Sequence, residues 1–277
     1  MRALVRHGHE PVAAVRQADV DVGGRERVVW DLVDAKWPTP APTRIDAVVH
    51  AAQSRNFRAF PSDSREMYGV NVGGTCALLD YTMRVGIPRF CLLSSGTVYE
   101  PYGGELREDA ALAPTSFLGA TKLASEILAH PYERHLTLSV LRLFIPYGPG
   151  QRNRLIPDII ERVRDGRPVQ LSSDGDGLRL SPTYVEDIAE VIVAALTEGW
   201  SGVTNVASPQ IVCLRDLAEL IGEVVGRRPE FEIDDRPCVA IVPALDRLKA
   251  RYEMSSFTPL ACGLRKAVAD RVNAKSD

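Results

Sequence analysis

Hydroxyl groups gather at one point of this chain, where the apolar run Phe90-Cys91-Leu92-Leu93 gives way to Ser94-Ser95-Gly96-Thr97-Val98-Tyr99. A hydroxyl held in such a place can donate to a carbonyl or to a developing alkoxide. Other apolar runs also end in chemistry-bearing or small residues. Val48-Val49-His50 leads into Ala51-Ala52, Val28-Val29-Trp30 into Asp31-Leu32, and Val12-Ala13-Ala14-Val15 into Arg16. Small residues such as Ala51 and Ala52 let a ligand approach the backbone; they equally let helices pack closely. Lys122 stands inside Gly119-Ala120-Thr121-Lys122-Leu123-Ala124-Ser125-Glu126. Taken alone, a helix lysine is a solvated surface group. Cys76, Cys91, Cys213, Cys238 and Cys262 form no C-x-x-C or Cys/His metal spacing, so no metal is expected. They read as thiols of a reducing compartment, with the cytoplasm as default.

The elements that must position these groups alternate along the chain. Strands are predicted near 11–16, 25–32, 46–52, 90–95 and 138–143, and helices near 65–85, 118–128, 155–164, 186–196 and 214–225. The first residues read as the last turn of a helix closed by Gly8. Such alternation predicts an α/β fold, a doubly wound parallel sheet with helices on both faces. In that architecture ligands bind beyond the carboxyl ends of strands. Arg16, Asp31, His50 to Gln53 and Ser94 to Thr97 all fall there. Turns become denser from about Pro146. A nucleotide-binding domain is therefore expected over 1–145, regaining 184–207, with a smaller substrate lobe from 146–183 and 208–277.

The 33 basic and 36 acidic residues give a formal charge of -3, which argues against nucleic acid as a partner. No apolar stretch approaches the ~18 residues that would suggest a membrane span, and the first residues carry no secretory signal. A small-molecule substrate is the expected partner.

Taken in order, the segments resemble the extended short-chain dehydrogenase/reductases of the epimerase/dehydratase type. Asp46-Ala47-Val48-Val49-His50-Ala51-Ala52 resembles their cofactor-side strand, and Asn71-Val72-Gly73-Gly74-Thr75 their N-x-x-G-T segment. Ser94-Ser95-Gly96-Thr97-Val98-Tyr99 is similar to the strand end with the catalytic hydroxyl, and Gly119 to Glu126 to the helix with the Tyr-x-x-x-Lys pair. Arg142-Leu143-Phe144, Tyr147-Gly148-Pro149-Gly150, Tyr184-Val185-Glu186-Asp187, Asn205-Val206-Ala207-Ser208, Thr258-Pro259-Leu260 and Gly263-Leu264-Arg265 match later signatures, so the resemblance covers nearly the whole chain. It implies a Rossmann-like sheet with a smaller C-terminal substrate lobe. It also implies catalytic roles for Ser95 and Lys122, with Thr97 beside them. Cofactor contacts would come from Arg16, Asp31, Leu32, Ala51, Ala52, Asn71 and Lys122. Arg16 favours NADP, with NAD the other choice, and the helices over 65–85 and 118–128 would pair two copies into a homodimer.

Three departures shape the expected function. The family's first strand and glycine-rich phosphate turn, roughly 15–20 residues of a βαβ opening, have no counterpart before Gly8. A sheet missing a central strand exposes two edges, so an earlier start or compensation by another segment is expected over simple loss. Second, Leu118 stands four residues before Lys122, where the family keeps its tyrosine, and neither Leu118 nor Phe117 exchanges a proton; Thr97 and Tyr99 are the candidate substitutes. Third, Ile145 and Leu180 replace a polar clamp and an arginine that hold sugar diphosphates. With Phe117, Leu118, Phe144 and Ile145 lining it, the substrate site reads as apolar. The expectation is an atypical NAD(P)H-dependent ketoreductase acting on an aromatic or polyketide-like molecule, with a proton drawn from the substrate. That resembles the tyrosine-less reductases of aromatic polyketide tailoring. A non-catalytic nucleotide-binding scaffold is the second reading and a nucleotide-sugar epimerase or dehydratase the third.

Overall fold

The computed structural model describes residues 1–33, 44–54 and 57–273. It divides into two compact units, Met1–Pro101 with Ala111–Arg142 and Ala189–Thr204, and Tyr102–Ala110 with Leu143–Ile188 and Asn205–Asp277.

The first unit is built on strands β1 (Ala13–Val15), β2 (Arg27–Val29), β3 (Val48–His50), β4 (Arg89–Ser95) and β5 (Thr137–Leu143). β4 and β5 are the longest and largely buried, as parallel strands covered on both faces must be. A four-stranded sheet runs in the order Gly202–Val206, β5, β4, β3. β3 lies parallel to β4 with Val48 opposite Phe90 and His50 opposite Leu92. β1 and β2 pair in parallel as a separate two-stranded sheet, so the sheet read from the sequence as one stands as two ladders. Leu79, Phe90, Leu92, Leu138 and Val140 pack with Trp30 and Tyr81 in its core.

Helix α1 (Arg2–Arg6) ends just before Gly8, whose φ of 78° suits a left-handed cap. The periodicity over 65–85 resolves into α2 (Ser64–Tyr68), a π turn over Gly69–Gly73, and α3 (Gly74–Val85). The Asn71 carbonyl in this turn accepts from the Thr75 hydroxyl at 2.6 Å, and the Ser125 hydroxyl is shared between it at 2.9 Å and the Thr121 carbonyl at 2.8 Å. π turns of this sort concentrate at functional sites. Helix α4 (Phe117–Ala129) starts at Ser116, whose hydroxyl accepts from the Gly119 amide at 3.0 Å. α4 lies so close to the turn after β4 that a Cβ at Gly119 would fall 2.5 Å from the Thr97 carbonyl. Glycine is required there.

The second unit buries Ile156, Ile160, Leu171, Leu180, Leu217 and Ile221 in one core. Its small sheets include a three-stranded one ordered Val212–Cys213, Arg179–Leu180, Ala240–Ile241. No helix among the described residues is long and apolar enough to cross a membrane.

Gly119→Ala is expected to destabilise the chain by about 1–3 kcal/mol, the usual cost of overpacking. Urea denaturation would measure it, and unaltered stability would show that the turn after β4 yields freely.

Candidate active site

Ser95 closes β4 with extended backbone and caps the short 3-10 turn Gly96–Tyr99. Its Oγ accepts from the Thr97 amide at 3.2 Å and from the Thr97 hydroxyl at 3.0 Å. Both contacts use Ser95 as acceptor and leave its own proton for a ligand. The same contact commits the Thr97 proton to Ser95. Tyr99 is buried, and its phenol oxygen accepts from Arg142 Nη1 at 2.7 Å. It is a part of the interior, not a replacement acid.

Lys122 is buried, and its Nζ donates to the Leu93 carbonyl at 2.9 Å. An ammonium carries three donors, so this bond leaves two for a ligand at the end of β4. Burial pulls the amine down to about 8, and the Glu126 carboxylate acts in the opposite sense. His50 Nε2 lies 3.0 Å from Thr75 Oγ1. The Thr75 proton is already given to the Asn71 carbonyl, so His50 Nε2 is the donor and Nδ1 carries the lone pair. Nδ1 and the Asn71 side-chain oxygen are buried without a partner among the described residues. Burial first, and the Lys122 charge second, push His50 down to about 3. The Asn71 amide donates to Thr121 at 3.0 Å, which ties the π turn to α4 beside Lys122.

Ala51 is exposed and Ala52 half-buried directly after β3, so the backbone there is open to a ligand. Arg16 Nε donates to Asp31 Oδ2 at 3.0 Å, with Glu66 at 3.9 Å from Nη1. A guanidinium held between two carboxylates is a poor receptor for an added phosphate. Asp31 also accepts from the Val33 amide at 3.0 Å, and Leu32 packs on Gly74.

Phe117 and Leu118 form the first turn of α4, half-buried, with Phe60 stacked on Phe117 at 5.2 Å. In the second unit Phe144 is 1% exposed and Leu180 0% exposed. Leu180 belongs to that unit's core while Arg179 on the same strand is exposed. Apolarity at these two positions is core packing and carries no information about a substrate. Ile145 adopts φ 39°, a strained conformation for a β-branched residue.

Sequence reasoning missed one constellation. Glu126 Oε1 accepts from the Ser94 hydroxyl, and Arg142 forks onto the carboxylate with Nη2 2.8 Å from Oε2 and Nε 3.1 Å from Oε1. The Lys122/Glu126 spacing of one helical turn was its only trace in the sequence.

Residues 1–207 match the family model described as NAD dependent epimerase/dehydratase family. A dTDP-glucose 4,6-dehydratase of Streptomyces griseus is 33% identical over 235 residues, which span 81% of this chain and 71% of that protein. A UDP-glucuronate 4-epimerase of Thermodesulfobacterium geofontis is 27% identical over 196 residues, 68% of this chain and 59% of the relative. The match thus spans less than two thirds of that relative's length. Among solved structures, MoeE5 in complex with UDP-glucuronic acid and NAD has a TM-score of 0.80 at 25% identity, covering 99% of this chain and 94% of that one. The NDP-hexosamine 5,6-dehydratase TunA shares the fold at TM-score 0.82 and 22% identity, covering 98% and 92%. The two sequence relatives overturn the expected reduction of an aromatic ketone, since their names describe enzymes of nucleotide sugars.

Two buried groups give the chain a distinctive pH response. His50 stays neutral in the folded chain down to about 3, whereas an ordinary histidine takes a proton near 6.5. The unfolded chain therefore binds the extra proton across that window, and stability falls as pH drops through it. Lys122, at about 8 when folded against about 10.4 unfolded, makes stability rise with pH over that upper window. Urea melts across pH should show both slopes, with His50→Gln flattening the first and Lys122→Met the second.

Proposed function

The chain belongs to the NAD dependent epimerase/dehydratase family, and on that premise we propose that it binds NAD and a nucleoside-diphosphate sugar and oxidises a sugar carbinol transiently. The carrying observation is the buried Lys122 amine bonded to the carbonyl of Leu93, two residues before Ser95 on the same strand.

The residues fit the cofactor at its nicotinamide-ribose end, where Lys122, with one N–H on Leu93, keeps a donor for a ribose hydroxyl and the Ala51 backbone is open. Asp31 and Leu32 would meet the adenosine end. No residue is assigned to the pyrophosphate. The Arg16–Asp31 pair supports NAD over NADP. The first unit would hold the cofactor and the second the sugar nucleotide. Exposed Met83 on α3, with Ile127 and Leu128 on α4, supports pairing of two copies through these helices.

NAD, when bound, supplies the hydride acceptor. Oxidising a carbinol also releases a proton, and Leu118 cannot take it. Lys122, substantially neutral near pH 8, is the base we assign, while Ser95 donates to the sugar oxygen and orients it.

Calorimetric titration with NAD, followed by incubation with UDP-glucose, UDP-glucuronic acid or dTDP-glucose and product analysis by NMR, tests this. Turnover should rise with pH around 8. Lys122→Met should remove it, and Leu118→Tyr should raise it toward the roughly 10²–10⁴-fold that a positioned acid–base group contributes. Absence of NAD binding together with unchanged nucleotide sugars would overturn the proposal.

A further inference from the structure

We propose that Glu126 and Arg142 are positioning residues for Ser95 and Lys122, their buried ion pair fixing where the hydroxyl and the amine present themselves to a ligand. The inference rests on the function proposed above.

Glu126 stands one helical turn beyond Lys122 on the same face of α4. The Arg142 and Glu126 side chains are 4% and 7% exposed. The pair reaches both ends of the turn that carries Ser95. At its start Ser94 donates to Glu126; at its end Tyr99 accepts from Arg142, whose guanidinium carbon lies 5.0 Å from the phenol ring centre. The same carboxylate holds α4 against β4, where Lys122 meets the Leu93 carbonyl.

Stability alone does not call for these residues. Removing two charges from water is expensive, and well-packed apolar replacements of similar volume are often no less stable. An apolar pair would fill the space yet take away the carboxylate that Ser94 donates to and the guanidinium that donates to Tyr99. The forked ion pair sets direction on β4, α4 and β5 together.

The test compares the unaltered chain, Arg142→Lys and the double variant Glu126→Leu/Arg142→Met. Three readouts are taken: thermal melting, titration with NAD, and a pH titration of the Lys122 ζ-nitrogen in ¹⁵N-lysine-labelled protein. The double variant should melt within a few degrees of the unaltered chain and bind NAD about tenfold more weakly. Its Lys122 midpoint should move up from about 8 toward the ordinary lysine range as α4 loosens and water reaches the amine. The charged or titratable groups that act on Lys122 are Glu126 on its own helix and His50 on β3. Loss of the Glu126 charge alone would move the amine down, so an upward move reports position. Arg142→Lys, which keeps the charge and loses the fork, should show the same changes in smaller measure, and it decides the matter if the double variant fails to fold. Variants that bind NAD and titrate like the unaltered chain would reduce the pair to core filling. If the unaltered chain binds no NAD, the proposed function fails, whereas the ζ-nitrogen titration still decides the positioning role.

Discussion

An ion pair excluded from water is the constraint around which the first unit is arranged. Glu126 and Arg142 tolerate burial because each charge is matched by hydrogen bonds of defined direction. Those bonds require β4, α4 and β5 to meet at one point. The glycine at 119 serves the same requirement from the steric side, letting α4 descend until its backbone faces the Thr97 carbonyl. Attraction from within and close approach at the rim together leave Lys122 one place to go.

The burial of Lys122 then has a chemical meaning. In water its amine would be protonated at any pH a cell reaches. Against β4 it titrates within reach of neutrality, so the end of the strand has acid–base capacity although Leu118, one turn before the lysine, has none. In the proposal the lysine carries both the binding and the proton chemistry.

Much of the first unit was legible in the sequence, because strands and helices announce themselves by local period. β4, α4 and β5 fall within a residue or two of their expected bounds. The π turn over Gly69–Gly73 was not legible, since the apolar period does not distinguish one wide turn from the regular winding around it. Nor was the Glu126–Arg142 pair, whose members belong to different elements and acquire meaning only when these are packed. The apolar substrate reading failed for a related reason. Leu180 and Phe144 were taken for pocket lining, yet hydrophobic residues inside a core and inside a pocket look alike in one dimension. Their burial in the second unit decided between them.

The Asn71 carbonyl has a consequence for a ring it never touches. Thr75 returns its only proton to that carbonyl one helical turn earlier, the usual back-bond of a threonine in a helix. Thr75 can then only receive from His50, so the imidazole tautomer is chosen by a hydroxyl on a neighbouring helix. A rotor on one element thereby sets the polarity of a ring in the sheet.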